Sequence, residues 1–224
     1  MTRNRQIVQS TIRFLINLLA NLEVEGIENV PLQGGFLLSA NHTSRMDAPI
    51  LISLPVRPDV TAFLAEKYEK HWFFGWFGRT MSFIFIDRSR ADIAALRGAV
   101  DVLKKGTPLA IAPEGTRSKT GSMNEGKQGV ILLAFLAGVP IIPAAVTGSD
   151  TMLKKVFTLR RPTIKIIFGK PMVIPPLRRE NREQQMQELL EDLMCRTAAM
   201  LPEGKRGFYA DHPRLKELLA NPPE

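Results

Sequence analysis

The strongest constraint on the fold is an alternation of short apolar runs with longer amphipathic segments. Six runs of four to six residues are apolar almost throughout, as expected for strands covered on both faces; they are Phe36–Ser39, Thr61–Leu64, Phe83–Ile86, Leu109–Ala112, Ile141–Val146 and Ile164–Phe168. Between them, Asp92–Lys105 carries apolar residues at helical spacing and stops at Gly106. The alternation predicts an α/β fold, a single domain with a mixed, largely parallel sheet flanked by helices.

An amphipathic helix is expected before this domain. Apolar residues from Val8 to Leu22 fall at helical spacing, but Arg13 and Asn17 interrupt them and no small-residue cleavage motif follows, which argues against a secretory signal. Two interpretations stay open: the helix packs on the domain, or it lies in a membrane interface. The predicted division is an N-terminal amphipathic helix over 1–25, a domain over 26–202 and a C-terminal tail over 203–224.

The longest uncharged run, Gln128–Ser149, is long enough to be tested as a membrane span. Gly138, Pro140 and Pro143 interrupt it, and glycine followed by proline is the usual end of a helix. We therefore expect a buried helix over Gly129–Ala137, a break, and then a buried strand.

Composition limits the classes of partner. An apolar fraction of 45% is typical of a folded protein, and the net charge of +8 favours anionic partners. The single Cys195 excludes an intramolecular disulfide and a thiolate-rich metal site, and no metal site is predicted. Thr151–Arg179 contains eight basic residues and no acidic one, which indicates docking on an anionic bilayer or on an acyl donor's phosphates or acidic surface. The alternative is a solvated pair of strands without acidic residues.

The segment after the first predicted strand contains a histidine and an aspartate five residues apart. His42 would lie before a helix and Asp47 on its first turns, so that the carboxylate can reach back to one imidazole nitrogen. Such a pair fixes the tautomer and leaves the other nitrogen free as a general base. The competing interpretation is a histidine and a capping aspartate that only secure the start of a helix. No nucleophile elbow accompanies the pair, which suits attack by the substrate's own hydroxyl.

Further polar residues follow other predicted strands. After Leu109–Ala112 and one proline come Glu114, Gly115, Thr116 and Arg117. An arginine there can bind phosphate through two hydrogen bonds, and glycine allows close approach of the backbone, although a turn closed by a Glu–Arg pair is the alternative. Two more candidate anion-binding residues are Arg88, after Phe83–Ile86, and Lys127, at the start of the buried helix.

Aromatic residues are concentrated between residues 71 and 86. Trp72, Phe73 and Trp76 belong to this group. They indicate a hairpin corner in the core, a pocket for an acyl chain, or an edge that faces a membrane.

Four blocks of this sequence together resemble the 1-acylglycerol-3-phosphate acyltransferases of the glycerolipid acyltransferase superfamily. The blocks are, in order, Asn41-His42 with Asp47, Phe85-Ile86-Asp87-Arg88, Glu114-Gly115-Thr116-Arg117 and Val139-Pro140-Ile141-Ile142-Pro143. A weaker match, Phe168-Gly169-Lys170-Pro171, follows. The element around Lys127 departs from the family pattern, because Gly126 stands where phenylalanine is frequent.

The resemblance implies transfer of a fatty acyl group from an acyl-CoA or acyl-carrier-protein thioester to the free hydroxyl of a lysophospholipid, which would form phosphatidate from 1-acylglycerol 3-phosphate. It implies His42 as general base, Asp47 as its orienting partner, Arg88 and Arg117 as phosphate ligands, and Glu114 and Gly115 as residues that shape that site. Val139, Pro140 and Ile141 would line the acyl site. The thioester is a co-substrate, and no further cofactor is expected.

Two other functions stay open. The same chemistry could act on glycerol 3-phosphate, another lysophospholipid or a lyso-amino-lipid. A non-catalytic module that binds anionic lipid is a rival of a different class, whereas the aromatic run has too few interleaved basic residues for a nucleic-acid platform. We expect a peripheral protein at the cytoplasmic face of the membrane and no nucleic-acid partner.

Overall fold

A largely buried β-sheet lies at the centre of the fold. The structure, a computed structural model, describes residues 2–87 and 92–221. Its strands lie in the order β1-β7-β6-β2-β5-β3-β4. Their bounds are β1 Asn21–Glu25, β2 Leu37–Ala40, β3 Thr61–Ala65, β4 Ile84–Ile86, β5 Leu109–Ile111, β6 Ile141–Thr147 and β7 Thr163–Phe168.

The sheet is mostly parallel. Strands β2 to β6 are mutually parallel, whereas β7 runs antiparallel to β6 and β1 pairs in parallel with β7. The parallel strands therefore end at one edge, which we call the carboxyl edge, and begin at the opposite amino edge. Loops that follow such strands are where α/β proteins usually carry ligands.

Helices cover both faces of the sheet. The face formed by Phe36, Leu38, Ile142 and Ile164 packs in one core with α1, α2 and α6, and a smaller core joins α3 to the same side. The opposite face, with Leu37 at its centre, packs against α4, α5, α7 and α8. The helices span α1 Arg3–Leu19, α2 Asp47–Ser53, α3 Trp72–Thr80, α4 Ile93–Lys104, α5 Gly129–Ala137, α6 Met152–Phe157, α7 Arg182–Ala199 and α8 Pro213–Ala220.

The predicted fold class is confirmed: the domain is a mixed, largely parallel sheet flanked by helices, with a helix at its N-terminal end. Each of the six predicted strands is present to within one residue at either end, and α5 has the predicted bounds. Strands β2 and β6 are buried on both faces, as continuous apolar runs predict, whereas β4 and β7 keep partly exposed residues.

The helix predicted over residues 1–25 is shorter than expected. Helix α1 ends at Leu19, and Asn21–Glu25 forms strand β1 at the edge of the sheet. The guanidinium of Arg161 donates to the carbonyls of Asn17 and Ala20, and the N–H of Asn21 donates to the carbonyl of Pro162, so the turn out of the helix is held by the segment before β7. The boundary predicted at residue 25 therefore falls at the end of a strand.

One face of α1 packs on the domain and another faces solvent. The buried guanidinium of Arg5 donates hydrogen bonds to the carbonyls of Pro58, Val60 and Met81. Ile16 lies in the core, whereas several large apolar residues of the helix are exposed. None of the helices within residues 2–87 and 92–221 has both the length and the hydropathy of a membrane span.

The segment predicted as a tail packs on the domain over much of its described length. Helix α8 buries Leu215 and Leu218 against α7. The hydroxyl of the buried Tyr209 accepts a 2.9 Å hydrogen bond from the N–H of Gly126, and burial raises the pKa of Tyr209 to about 12. The C-terminal segment thereby supports the loop that carries Lys127.

Candidate active site

The candidate site lies at the carboxyl edge, in the loops that follow β2, β5 and β6. Asn41, which follows β2, joins this strand to β6: its side-chain amide donates to the carbonyl of Val146 and accepts from the N–H of the same residue, at 3.0 and 2.8 Å. His42 is therefore presented from the very centre of the sheet, between β5 and β6.

His42 and Asp47 form a hydrogen-bonded pair. Nδ1 of His42 lies 2.9 Å from Oδ2 of Asp47, and the carboxylate is buried while the imidazole is partly exposed. Because an ionised carboxylate only accepts, Nδ1 is the donor in this pair, and in the neutral imidazole Nε2 is then the nitrogen with the lone pair. Asp47 is the first residue of α2, where a carboxylate is also favoured by the helix dipole.

Three further donors hold the Asp47 carboxylate. Oδ2 accepts from the backbone N–H groups of Thr43 and Ser44 at 2.9 and 2.8 Å, in addition to His42. Oδ1 accepts from the hydroxyl of Ser149, which is buried in the loop after β6. These contacts fix the carboxylate in the orientation that the imidazole requires.

Glu114 supports the backbone of His42 from below the surface. One of its carboxylate oxygens accepts from the N–H of His42 and the other from the N–H of Asn124, both at 2.9 Å. The side chain is only 2% exposed, and this burial raises the pKa of its carboxyl. The carboxylate is thus occupied by backbone donors rather than by Arg117, contrary to the Glu–Arg turn considered from the sequence.

The same loop exposes groups that can bind an anion. The N–H of Ser118 donates to the carbonyl of His42 at 2.8 Å, so the loop follows the histidine closely. Gly115, Thr116 and Arg117 are exposed there, and the side chain of Lys127 extends over Gly115, whose φ of +69° favours glycine. Arg117 therefore immediately precedes the residue that contacts His42, and Lys127 covers the same loop. The predicted Arg88 lies outside the described residues.

The residues predicted for the acyl pocket are not brought together. Trp72, Phe73 and Trp76 lie on helix α3, not on a hairpin corner; Trp72 is largely exposed and the other two are about half exposed. Ile141 pairs with Leu37 at the start of β2, so Val139–Ile141 lies at the amino edge, whereas His42 follows the other end of this strand. A separate cavity of about 220 Å³ opens between β6, β7 and the ends of α7 and α8.

Ser149 was not singled out from the sequence. It follows the buried strand β6 after one glycine, and the rule that polar residues at strand ends meet at one edge would have found it. Its partner, Asp47, lies 102 positions earlier, so no local spacing indicated the contact. Within residues 2–87 and 92–221, no group of three or more His, Cys, Asp or Glu side chains could hold a metal ion.

Known proteins resemble this chain in sequence and in fold. A protein from Bacillus subtilis called 1-acyl-sn-glycerol-3-phosphate acyltransferase is 25% identical over 73% of this chain and 79% of its own length. One of the same name from Pseudomonas aeruginosa is 32% identical over 76% of this chain and 68% of its own length. The crystal structure of the 1-acyl-sn-glycerophosphate (LPA) acyltransferase PlsC from Thermotoga maritima superimposes with a TM-score of 0.66, at 24% identity, over 83% of this chain and 76% of that one.

The family model described as Acyltransferase matches residues 21–147. That range begins at β1 and ends with β6, so it includes His42, Asp47 and the loop of Glu114 and Arg117. The match spans more than half of the sequence, and this chain belongs to the Acyltransferase family.

Proposed function

We propose that this chain transfers a fatty acyl group from a thioester donor, acyl-CoA or acyl-carrier protein, to the free hydroxyl of 1-acylglycerol 3-phosphate, forming phosphatidate. The single observation that carries the proposal is the His42–Asp47 pair, with Nε2 of the histidine left free at the carboxyl edge. The names of the relatives from Bacillus subtilis and Pseudomonas aeruginosa support this choice of acceptor.

The step follows from the pair. Nε2 of His42 takes the proton of the acceptor hydroxyl as its oxygen attacks the thioester carbonyl carbon, and Asp47 stabilises the imidazolium that forms. The tetrahedral intermediate then collapses by breaking the carbon–sulfur bond, and the imidazolium returns its proton to the leaving thiolate. Donor and acceptor balance the reaction, so the proposal needs no further cofactor.

Arg117 and Lys127 would hold the acceptor's phosphate. Both are exposed at the loop whose Ser118 N–H contacts His42, and the lysine ammonium lies 3.3 Å from the position that a Cβ on Gly115 would take. Arginine binds phosphate with two parallel hydrogen bonds, whereas lysine acts as a point charge. Arg88, two residues after the end of β4 in the sequence, is proposed as a third ligand.

His42→Ala tests the chemistry. We expect loss of a general base to lower kcat by roughly two or more orders of magnitude, measured with radiolabelled acyl-CoA and 1-acylglycerol 3-phosphate and read by lipid chromatography. Full retention of acyl transfer by H42A would overturn the mechanism. Parallel assays with acyl-carrier protein identify the donor.

Arg117→Ala tests the acceptor. The KM for 1-acylglycerol 3-phosphate should rise by roughly tenfold or more, because a charge-assisted contact to phosphate is lost. Lys104→Ala, an exposed cation at the end of α4, is the matched control and should leave KM unchanged. An unchanged KM in R117A would direct the screen to acceptors without a phosphate, including lyso-amino-lipids.

We place the reaction at the cytoplasmic face of the membrane, on a peripherally bound enzyme. Both the acceptor and its product are amphipaths that reside in a bilayer, and the net charge of +8 favours an anionic surface. Binding of anionic vesicles without any acyl transfer in the acceptor screen would instead favour the non-catalytic lipid-binding module.

A further inference from the structure

Helix α6 and Leu159, two residues past its end, form an apolar projection. Met152 and Val156 pack into the core shared with α1, so the adjacent positions Leu153 and Phe157 face outwards. Phe157 is 85% exposed and Leu159 is 98% exposed. Single exposed apolar side chains are common, but a group of large ones marks an interaction site.

The backbone at Leu159 holds its side chain outwards. Leu159 has a φ of +56°, a conformation in which a helix commonly ends with glycine. The N–H groups of Leu159 and Arg160 donate back to the carbonyls of Val156 and Lys155, which closes the end of α6 in the usual way. A leucine therefore occupies a position that backbone geometry alone would assign to glycine.

Helix α1 adds a second exposed apolar stripe next to α6. Phe14 and Leu18, four residues apart on its last turns, are both exposed. The guanidinium of Arg161, just past Leu159, donates to the carbonyls of Asn17 and Ala20 at the end of this helix. Arg161 therefore connects the end of α1, which carries Phe14 and Leu18, to the segment that follows α6.

Helix α3 contributes a third group at the carboxyl edge. A Cβ on Gly78 would meet Leu64 and Phe85 near the ends of β3 and β4, whereas the hydroxyl of Thr61, at the start of β3, reaches the carbonyl of Ser82. The helix therefore runs from beyond the carboxyl edge back towards the amino edge. Its first turns, which carry the exposed Trp72 and Trp76, project past the ends of the strands.

All three groups share one face of the sheet and the edge that carries His42. Helices α1, α3 and α6 cover the same face, and α6 follows the carboxyl end of β6. Exposed basic residues surround the projection of α6, in a part of the sequence that contains no Asp or Glu; they are Lys154, Lys155, Arg160 and Arg161.

We infer that these groups are one docking surface for an anionic lipid bilayer, which turns the catalytic edge towards the membrane; the docking surface consists of Phe14, Leu18, Trp72, Trp76, Phe157 and Leu159. The inference rests on the proposed function in one respect: the acceptor would then reach the site at His42 directly from the bilayer. Exposed Trp, Phe and Leu beside Lys and Arg are the side chains that enter the interfacial region of a membrane.

Charge favours a bilayer over a second copy of this chain. A twofold dimer built on this surface would place the four basic residues of one copy against those of the other, because such an interface uses the same patch twice. Like charges brought together in this way oppose association. An anionic bilayer neutralises the same residues and accommodates the projecting Phe157 and Leu159.

The decisive variant combines Phe157→Ser with Leu159→Gly, assayed in the full chain by co-sedimentation with vesicles of phosphatidylcholine and phosphatidylglycerol. Because glycine suits the φ at position 159, the variant should fold as well as the parent protein. We expect at least roughly tenfold weaker partition into vesicles. The matched control is Leu32→Ser with Val173→Ser, two exposed apolar residues in the loops at the amino edge, which should bind as the parent does.

A second variant tests the charges. Lys154→Glu, Lys155→Glu and Arg160→Glu together leave Arg161 on its carbonyl partners. We expect about a hundredfold weaker partition at low salt, and a much smaller effect at high salt or with phosphatidylcholine alone.

A defect in docking and a defect in catalysis can be distinguished by two different measurements. H42A should bind vesicles as the parent does, and the F157S/L159G variant should keep its activity on a short-chain acceptor below its critical micelle concentration while losing activity on acceptor in vesicles. Unchanged vesicle partition of F157S/L159G would overturn the docking surface. The docking surface would also be overturned if the parent protein formed a dimer without lipid and this variant were monomeric. A loss of activity that occurred only with acyl-carrier protein as donor would overturn it as well.

Discussion

The hydroxyl of Ser149 lies 2.5 Å from Oδ1 of Asp47, the oxygen that does not face His42. The contact joins the loop after β6 to the first residue of α2. It leaves the carboxylate with one oxygen for Ser149 and the other for the imidazole and two backbone N–H groups. In the proposed reaction Ser149 therefore acts through Asp47, as a positioning residue.

Ser149→Ala should lower kcat by roughly tenfold and leave the KM for both substrates nearly unchanged, because it removes one hydrogen bond from the group that orients His42. Steady-state kinetics on vesicle-embedded 1-acylglycerol 3-phosphate measures both constants. The control is the same change in a D47A background, where it should have little further effect. Equal losses of kcat in both backgrounds would show that Ser149 acts independently of Asp47.

Arg5→Ala should destabilise the fold, because three backbone carbonyls between Pro58 and Met81 lose a charged donor inside the protein. We expect the free energy of unfolding in urea to fall by about 3 kcal/mol. Arg3→Ala, on the exposed part of the same helix, should change it by no more than about 0.5 kcal/mol. Equal effects of the two substitutions would mean that the buried guanidinium contributes nothing.

Glu114 should make stability depend on pH in one direction. Burial raises the pKa of its carboxyl above the ordinary value of 4.5, so the unfolded chain loses this proton at a lower pH than the native protein does. Between the two pKa values the native state binds more protons, and the free energy of unfolding falls as pH rises through that window.

The measurement compares the parent protein with E114Q, in which this position cannot titrate, between pH 4 and about pH 7, the range in which a raised glutamate pKa would act. The stability of the parent minus that of E114Q should decrease with rising pH, since all other titrations cancel in the difference. A difference that increases with pH would contradict the assignment.

Ser39→Ala should leave the protein as stable as before or stabilise it by up to about 1 kcal/mol. Its hydroxyl is buried in β2 and finds no hydrogen-bond partner among the described residues. Burying this hydroxyl costs desolvation free energy that no hydrogen bond offsets, and the alanine variant avoids that cost. Ser53→Ala provides the contrast, because that buried hydroxyl donates to the carbonyl of Ile50 at 2.8 Å. Thermal unfolding should show a loss in S53A alone, and a comparable loss in S39A would be contrary evidence.

Local pattern alone predicted most of the sheet. Runs such as Leu109–Ala112 are apolar on both faces, and this property belongs to the segment itself, whatever it pairs with. Strand β1 escaped the prediction because it is short, lies at an edge and alternates between exposed and half-buried residues at the end of a helical pattern. Its pairing with β7, more than a hundred residues later, is what makes it a strand.

The chemistry of the site divides in the same way. The spacing of His42 and Asp47 is local, so the sequence by itself determined that the carboxylate could reach the imidazole. Only the tertiary structure decided that Glu114 supports the backbone of His42 and that Ser149 supports Asp47, because hydrogen bonds across sheet neighbours leave no periodicity in the chain. The tertiary structure also separated Ile141 from Trp72. Ile141 starts β6 at the amino edge, whereas Trp72 lies in the segment that follows β3 at the carboxyl edge.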